Sequence, residues 1–123
     1  MSDSVFQDRR ILIVEDEYLQ ADELNALLED AGAEMLGPVA CVENGLRILS
    51  GGQVPDAASL DINLCGEAVY PLADALIACA VPFVFTTGYD QAAIPAGYAH
   101  IRRLEKPAEP ETVLMELAKL LKA

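Results

Sequence analysis

The feature that most constrains the fold is an apolar run that ends abruptly in acid. Ile11, Leu12, Ile13 and Val14 are followed without a spacer by Glu15, Asp16 and Glu17. Apolar residues in unbroken succession, rather than in alternation, fit a strand covered on both faces, as in a parallel sheet between two layers of helices. Solubility does not require like charges at the end of such a strand. The cluster needs a cation, a proton or the positive end of a helix to hold it.

The pattern repeats along the chain. A helix is expected from the acids to about Ala31, with Leu24, Leu27, Leu28 and Ala31 as its inward stripe and Gly32 as its stop. Tyr18 and Leu19 lie off that stripe and read either as a packing edge or as a docking patch beside the acids. "AEMLGPVA" is a weak second strand, placed at a sheet edge because Gly37 and Pro38 interrupt it. "VENGLRILSGG" reads as a short helix closed by Gly51 and Gly52. "DAASLDI" is a third strand ending in Asp61, "NLCGEA" reads as a loop, and "VYPLADALIACA" is a helix with Pro71 in its first turn. "PFVFTTG" is the fourth strand, "HIRRLEKP" holds a short fifth ending at Lys106, and Glu109 and Pro110 open a last helix. Between Gly88 and His100, Pro95 and Gly97 oppose a regular helix, so a shortened or irregular fourth helix is expected there.

Strands alternating with helices imply an α/β fold: a flavodoxin-like, doubly wound, five-stranded parallel sheet with right-handed crossovers. The weak second strand belongs at an edge, which makes the order 2-1-3-4-5 and puts the switch point between strands one and three. A chain of 123 residues fits one domain, 1–123, with no separate output domain. Twenty acidic against eight basic residues, a formal charge of −12, repel nucleic acid and anionic membranes and favour cationic ligands or a basic partner face. Three cysteines without C-x-x-C spacing, and no signal-peptide pattern, favour the cytoplasm.

In a parallel sheet, Glu15, Asp16, Asp61, Thr87 and Lys106 all fall at the carboxyl ends of strands. Unit charges about 4 Å apart interact by roughly 4 kcal/mol at an effective dielectric of about 20, so clustered carboxylates need compensation. A hard, oxygen-preferring ion such as Mg²⁺ suits a site with few carboxylates. A carboxylate beside Mg²⁺, an amine and a hydroxyl can accept a phosphoryl group. Asp61, alone at the end of the central strand, is the best nucleophile, with Lys106 neutralising phosphoryl oxygens and Thr87 binding one of them.

"ILIVEDE", "SLDINL", "VFTTG" and "LEKP", in that order, make the chain resemble the receiver domain of bacterial two-component response regulators, the CheY-like family. The resemblance spans nearly the whole chain. It implies that Asp61 is the phosphoacceptor for a histidine kinase in a phosphorelay, and that Thr87 and Lys106 sense the phosphate. It also implies Mg²⁺ ligation by Asp16, Asp61 and the backbone carbonyl of Asn63, with Glu15 acting mainly through water. "FTTGY" and "DINLCGEAVYPLADAL" look like the alphaproteobacterial stand-alone receivers of the "FAT GUY" type, whose partners are often kinases of the HWE or HisKA2 kind. Such a receiver signals through protein contacts with a downstream target or drains phosphate from a shared kinase.

Two positions depart from the family. Arg103 stands where an aromatic residue usually precedes the lysine by three, with Tyr89 or Tyr98 as possible substitutes, and Cys65 stands where proline is frequent. The missing aromatic keeps open a receiver-fold binding module that ignores phosphate. A Mg²⁺-dependent aspartyl phosphatase ranks last, because Asn63 occupies the place of its second aspartate. Thr86 reads as an ordinary strand residue and His100 as a surface residue.

Overall fold

The computed structural model describes residues 4–64, 66–88 and 94–122. Its centre is a five-stranded sheet formed by β1 (Arg10–Val14), β2 (Glu34–Met35), β3 (Ala57–Asp61), β6 (Phe83–Thr87) and β7 (Arg103–Glu105), all parallel. Their order, β2-β1-β3-β6-β7, is 2-1-3-4-5 once a small hairpin outside the sheet is set aside, as expected for the flavodoxin-like arrangement.

The unbroken apolar runs have the expected cause. Alternate residues of each strand serve opposite layers. Leu12, Val14, Leu60, Phe83 and Phe85 pack on one side with Leu72 and Leu76 of α3 (Tyr70–Ala78) and Val42 of α2 (Val42–Ser50). Ile11, Ile13, Ala57 and Val84 pack on the other side against Leu24 and Leu28 of α1 (Tyr18–Asp30) and Val113 and Leu117 of α4 (Pro110–Lys122). Each fully buried aliphatic or aromatic side chain contributes roughly 1.5–3 kcal/mol relative to exposure, so neither face of the sheet can be left uncovered. Among the described residues, no helix is long and apolar enough to cross a membrane.

Local details correct the sequence expectations. The buried stripe of α1 is Ala21, Leu24 and Leu28, whereas Leu27 and Ala31 are only half-buried. Leu24, Leu27, Leu28 and Ala31, three or four apart, would all face inward on an isolated helix, but the side of α1 that meets α4 and β2 buries Ala21 with Leu24 and Leu28 instead. The stretch expected as a loop after Asp61 contains a two-residue antiparallel pair, β4 (Asn63–Leu64) with β5 (Glu67–Ala68), too short for any periodicity to announce. The last sheet strand ends at Glu105, with Lys106 just beyond it.

Between β6 and β7, the described residues form one 3₁₀ turn, Ala96–Tyr98, in keeping with the irregular fourth helix expected there. Residues 89–93, with Tyr89, and Cys65 lie outside the described residues. Two glycines set the packing. Gly32, at φ +98°, ends α1: its N–H reaches the carbonyl of Glu29 while that of Ala33 reaches Leu28. Gly45 lets α2 close on α3, since a methyl group there would lie 2.6 Å from Leu72 Cδ2.

Candidate functional site at the strand ends

The parallel topology carries Glu15, Asp61, Thr87 and Lys106 to the same edge of the sheet. Lys106 Nζ lies 2.9 Å from Asp61 Oδ2 and 3.0 Å from Glu15 Oε2, donating to both. It is fixed there from behind, because its own N–H donates to the Thr87 carbonyl at 2.8 Å. Backbone groups hold the two carboxylates as well. Glu17 N–H donates to Glu15 Oε2 at 3.0 Å, and Asn63 N–H donates to Asp61 Oδ1 at 3.2 Å.

Asp16 completes the acidic group. One carboxylate oxygen each from Glu15, Asp16 and Asp61 lie within 4.8 Å of one another. Among the described residues this is the one group of three acidic, histidine or cysteine side chains close enough to share an ion. The set is all oxygen, and one ammonium faces three carboxylates. Both facts fit a hard divalent cation rather than a thiolate- or imidazole-preferring metal.

The electrostatic load is visible in the proton affinities. Burial, followed by repulsion from Asp61, pushes the Glu15 carboxyl up to a pKa of about 7, against the opposing bonds from Lys106 and the Glu17 amide. Burial also disfavours the Lys106 ammonium, but its bonds to Asp61 and Glu15 outweigh this and hold its pKa above the usual value. A bound cation would oppose the Glu15 shift by placing positive charge among the three acids.

The remaining expected residues stand as follows. Thr87 is buried at the end of β6, with its hydroxyl donating to the Gly88 carbonyl at 3.3 Å rather than to the acidic group. The side chain of Asn63 is turned away from the acids, its Oδ1 accepting from Gly66 N–H at 2.9 Å. Arg103 is exposed on β7 and His100 is exposed before it. Tyr98 stacks on Tyr70, with ring centroids 4.8 Å apart, meets Phe85 edge-on and donates its hydroxyl to Asp74 of α3. Tyr18 and Leu19 are 79% and 73% exposed at the start of α1, next to the acids.

Sequence reasoning placed Lys106 against incoming phosphate and missed that it bridges Glu15 and Asp61. Thr86, expected to be an ordinary strand residue, is buried in β6, where its hydroxyl has no hydrogen-bond partner among the described residues.

No protein-family model matches the chain. The chain is 35% identical over 117 residues to the sensory transduction protein LytT of Bacillus cereus, which covers 92% of this chain and 47% of that protein. It therefore spans about half the length of the curated relatives it matches. Among solved structures, SdrG from Sphingomonas melonis Fr1 is 35% identical with a TM-score of 0.77, covering 100% of both chains. SdrG has also been solved in a BeF₃-activated conformation, to which this chain is 38% identical with a TM-score of 0.74. The receiver domain of the response regulator PhyR from Erythrobacter litoralis has a TM-score of 0.80 at 22% identity, covering 94% of this chain, and shows the shared fold.

Proposed function

The chain belongs to the receiver domains of response regulators, and we propose that within this family it accepts a phosphoryl group on Asp61 from a histidine kinase and passes the signal on through protein contacts. The observation that supports this best is the arrangement of Lys106, Asp61 and Glu15 at the strand ends, with Asp16 within reach. Glu15, Asp16, Asp61 and the backbone carbonyl of Asn63 would hold Mg²⁺, with Glu15 acting mainly through water. When bound, that ion supplies positive charge against the phosphoryl oxygens.

The chain's own groups would do the rest. An oxygen of the Asp61 carboxylate forms the bond to phosphorus as the donor's P–N bond breaks, and the electron pair returns to the imidazole nitrogen. Lys106, already 2.9 Å from Asp61, is positioned to pair with a phosphoryl oxygen as charge builds there. The Thr87 hydroxyl, which donates to the Gly88 carbonyl, would exchange that bond for one to another phosphoryl oxygen. Exposed Tyr18 and Leu19 offer the kinase's helices an apolar patch beside the reacting carboxylate. The likeness to SdrG over the whole of both chains supports a stand-alone receiver. The resemblance carried by "FTTGY" implies a kinase of the HWE or HisKA2 kind, and cysteines without C-x-x-C spacing fit the cytoplasm.

Incubation with acetyl phosphate and Mg²⁺ should add one phosphate to the intact protein, and Asp61→Asn should abolish the addition. An unchanged mass in the wild type would reject the reading. One observation favours a second reading, a binding module indifferent to phosphate: Arg103 is exposed where the family's mobile aromatic usually sits, and Tyr98 is tied to Tyr70 and Asp74. Partner affinity that tightens with a beryllofluoride mimic decides for the switch; unaltered affinity decides for the module.

A further inference from the structure

Residues 94–101, between β6 and β7, are fastened to α3 through Tyr98. The amides of Tyr98, Ala99 and Ile101 donate to Pro95, Ala96 and Tyr98, so these backbone bonds stay within the stretch. Tyr98 reaches out of it. Its ring lies 4.8 Å from that of Tyr70 and 19° from parallel, and its hydroxyl donates to Asp74, one turn further along α3. Phe85 of β6 closes the group, meeting Tyr98 edge-on at 6.1 Å and Tyr70 at 6.2 Å.

The platform under Tyr98 is built by the two segments that carry Asp61 and Thr87. Phe85 is two residues before Thr87, so strand alternation puts both side chains on the α3 side of the sheet. Tyr70 opens α3, and Val69 just before it donates its N–H at 2.9 Å to Ile62, the residue after Asp61. A shift of about 0.5–1 Å between packed groups forfeits roughly a quarter to a half of their contact attraction, so movement of either segment loosens the ring group. Opening also strands no buried polar atom. Asp74 is exposed and Tyr98 half-buried, so water takes up both hydrogen-bonding groups when the ring lifts.

Building on the role given above to Asp61, we propose that Tyr98 is a latch: clasped on Tyr70 and Asp74 it holds residues 94–101 against α3, and a ligand that draws the Thr87 hydroxyl from Gly88 toward Asp61 releases it. Release frees the stretch and uncovers the Tyr70 and Phe85 rings for contact with a partner protein. Linkage makes the effect reciprocal. While the clasp is mostly closed, a change that raises the open fraction raises affinity for that ligand by the same factor.

Two variants loosen the clasp without touching the acidic group. Tyr98→Phe keeps the ring and loses the bond to Asp74. Asp74→Ala loses the same bond while raising helix propensity and lowering the negative charge, so α3 itself is not weakened. Beryllofluoride with Mg²⁺ serves as the ligand, titrated by two-dimensional amide NMR, and hydrogen exchange at the Tyr98, Ala99 and Ile101 amides is followed with and without it. Each variant should speed exchange at these amides about fivefold and tighten beryllofluoride about fivefold, and the double variant should do no more than either alone. Beryllofluoride should speed the same three amides in the wild type. A wild type that binds no beryllofluoride overturns the role of Asp61 and the latch with it. Binding in the wild type, with exchange unaltered by the ligand or the variants, additive effects in the double variant, or affinity unchanged or weakened in the variants, overturns the latch alone. A tyrosine that only braces the fold would speed exchange and leave the affinity where it was.

Discussion

Glu15 carries the clearest electrostatic signature in the molecule. Its carboxyl is pushed from an ordinary value of 4.5 to about 7, first by burial and then by Asp61. The folded chain therefore holds this proton more tightly than the unfolded chain. Between the two values the folded state binds more protons, so the Glu15 contribution to stability is intact below about pH 4.5 and is lost as the pH rises through about 7. The loss amounts to about 3 kcal/mol for the metal-free protein. Glu15→Gln, which cannot ionise, should gain on the wild type by up to that amount across the interval; urea midpoints measured at several pH values in a chelator check it, and a gain in the opposite direction refutes the electrostatic picture. The residues themselves were legible because charges and hydroxyls at the ends of apolar strands have few structural reasons to be there. The bridging position of Lys106 was not, because it depends on where the β7 end falls relative to β1 and β3, a distance that no local pattern encodes.

Helix ends show how far element boundaries follow from sequence. Gly32 and Gly52, both at positive φ, close α1 and α2 with the same pair of hydrogen bonds, and both stops were readable from the glycines. The third helix ends in the same way without a glycine: Ala80 N–H donates to Ile77, Val81 N–H to Leu76, and Ala80 sits at φ +60°. A side chain in that left-handed region costs about 1–2 kcal/mol, offset in part by the greater freedom a glycine has when unfolded. Ala80→Gly should accordingly stabilise the protein by about 0.5–1 kcal/mol, seen as a higher urea midpoint at an unchanged slope. A lower midpoint would mean that the turn is relaxed with alanine. The β4–β5 pair escaped sequence reading for the opposite reason: two residues per strand are too few for alternation to register, and the pairing forms only because Asp61 and Val69 are held by the sheet and by α3.

At the scale of the whole molecule the dominant property is charge. The surface ion pairs Arg10–Glu34 and Arg47–Glu43 are solvent-exposed and contribute little, so a formal charge of −12 leaves net self-repulsion. Screening shortens to about 10 Å at 0.1 M salt, and the melting temperature, measured in a chelator to exclude specific cations, should rise as sodium chloride is added. A fall would show that exposed pairs outweigh the repulsion. The sequence by itself determined the alternation of elements, the doubly covered sheet, its strand order and the identity of the acids, hydroxyl and amine at the strand ends, because hydrophobic periodicity and charge placement are local properties. Only the tertiary structure decided the joint grip of Lys106 on Glu15 and Asp61, the resting direction of Thr87 and the burial of the Thr86 hydroxyl without a partner among the described residues. Each of these depends on the relative displacement of strands and helices far apart in the chain, and that displacement is set by how whole layers pack.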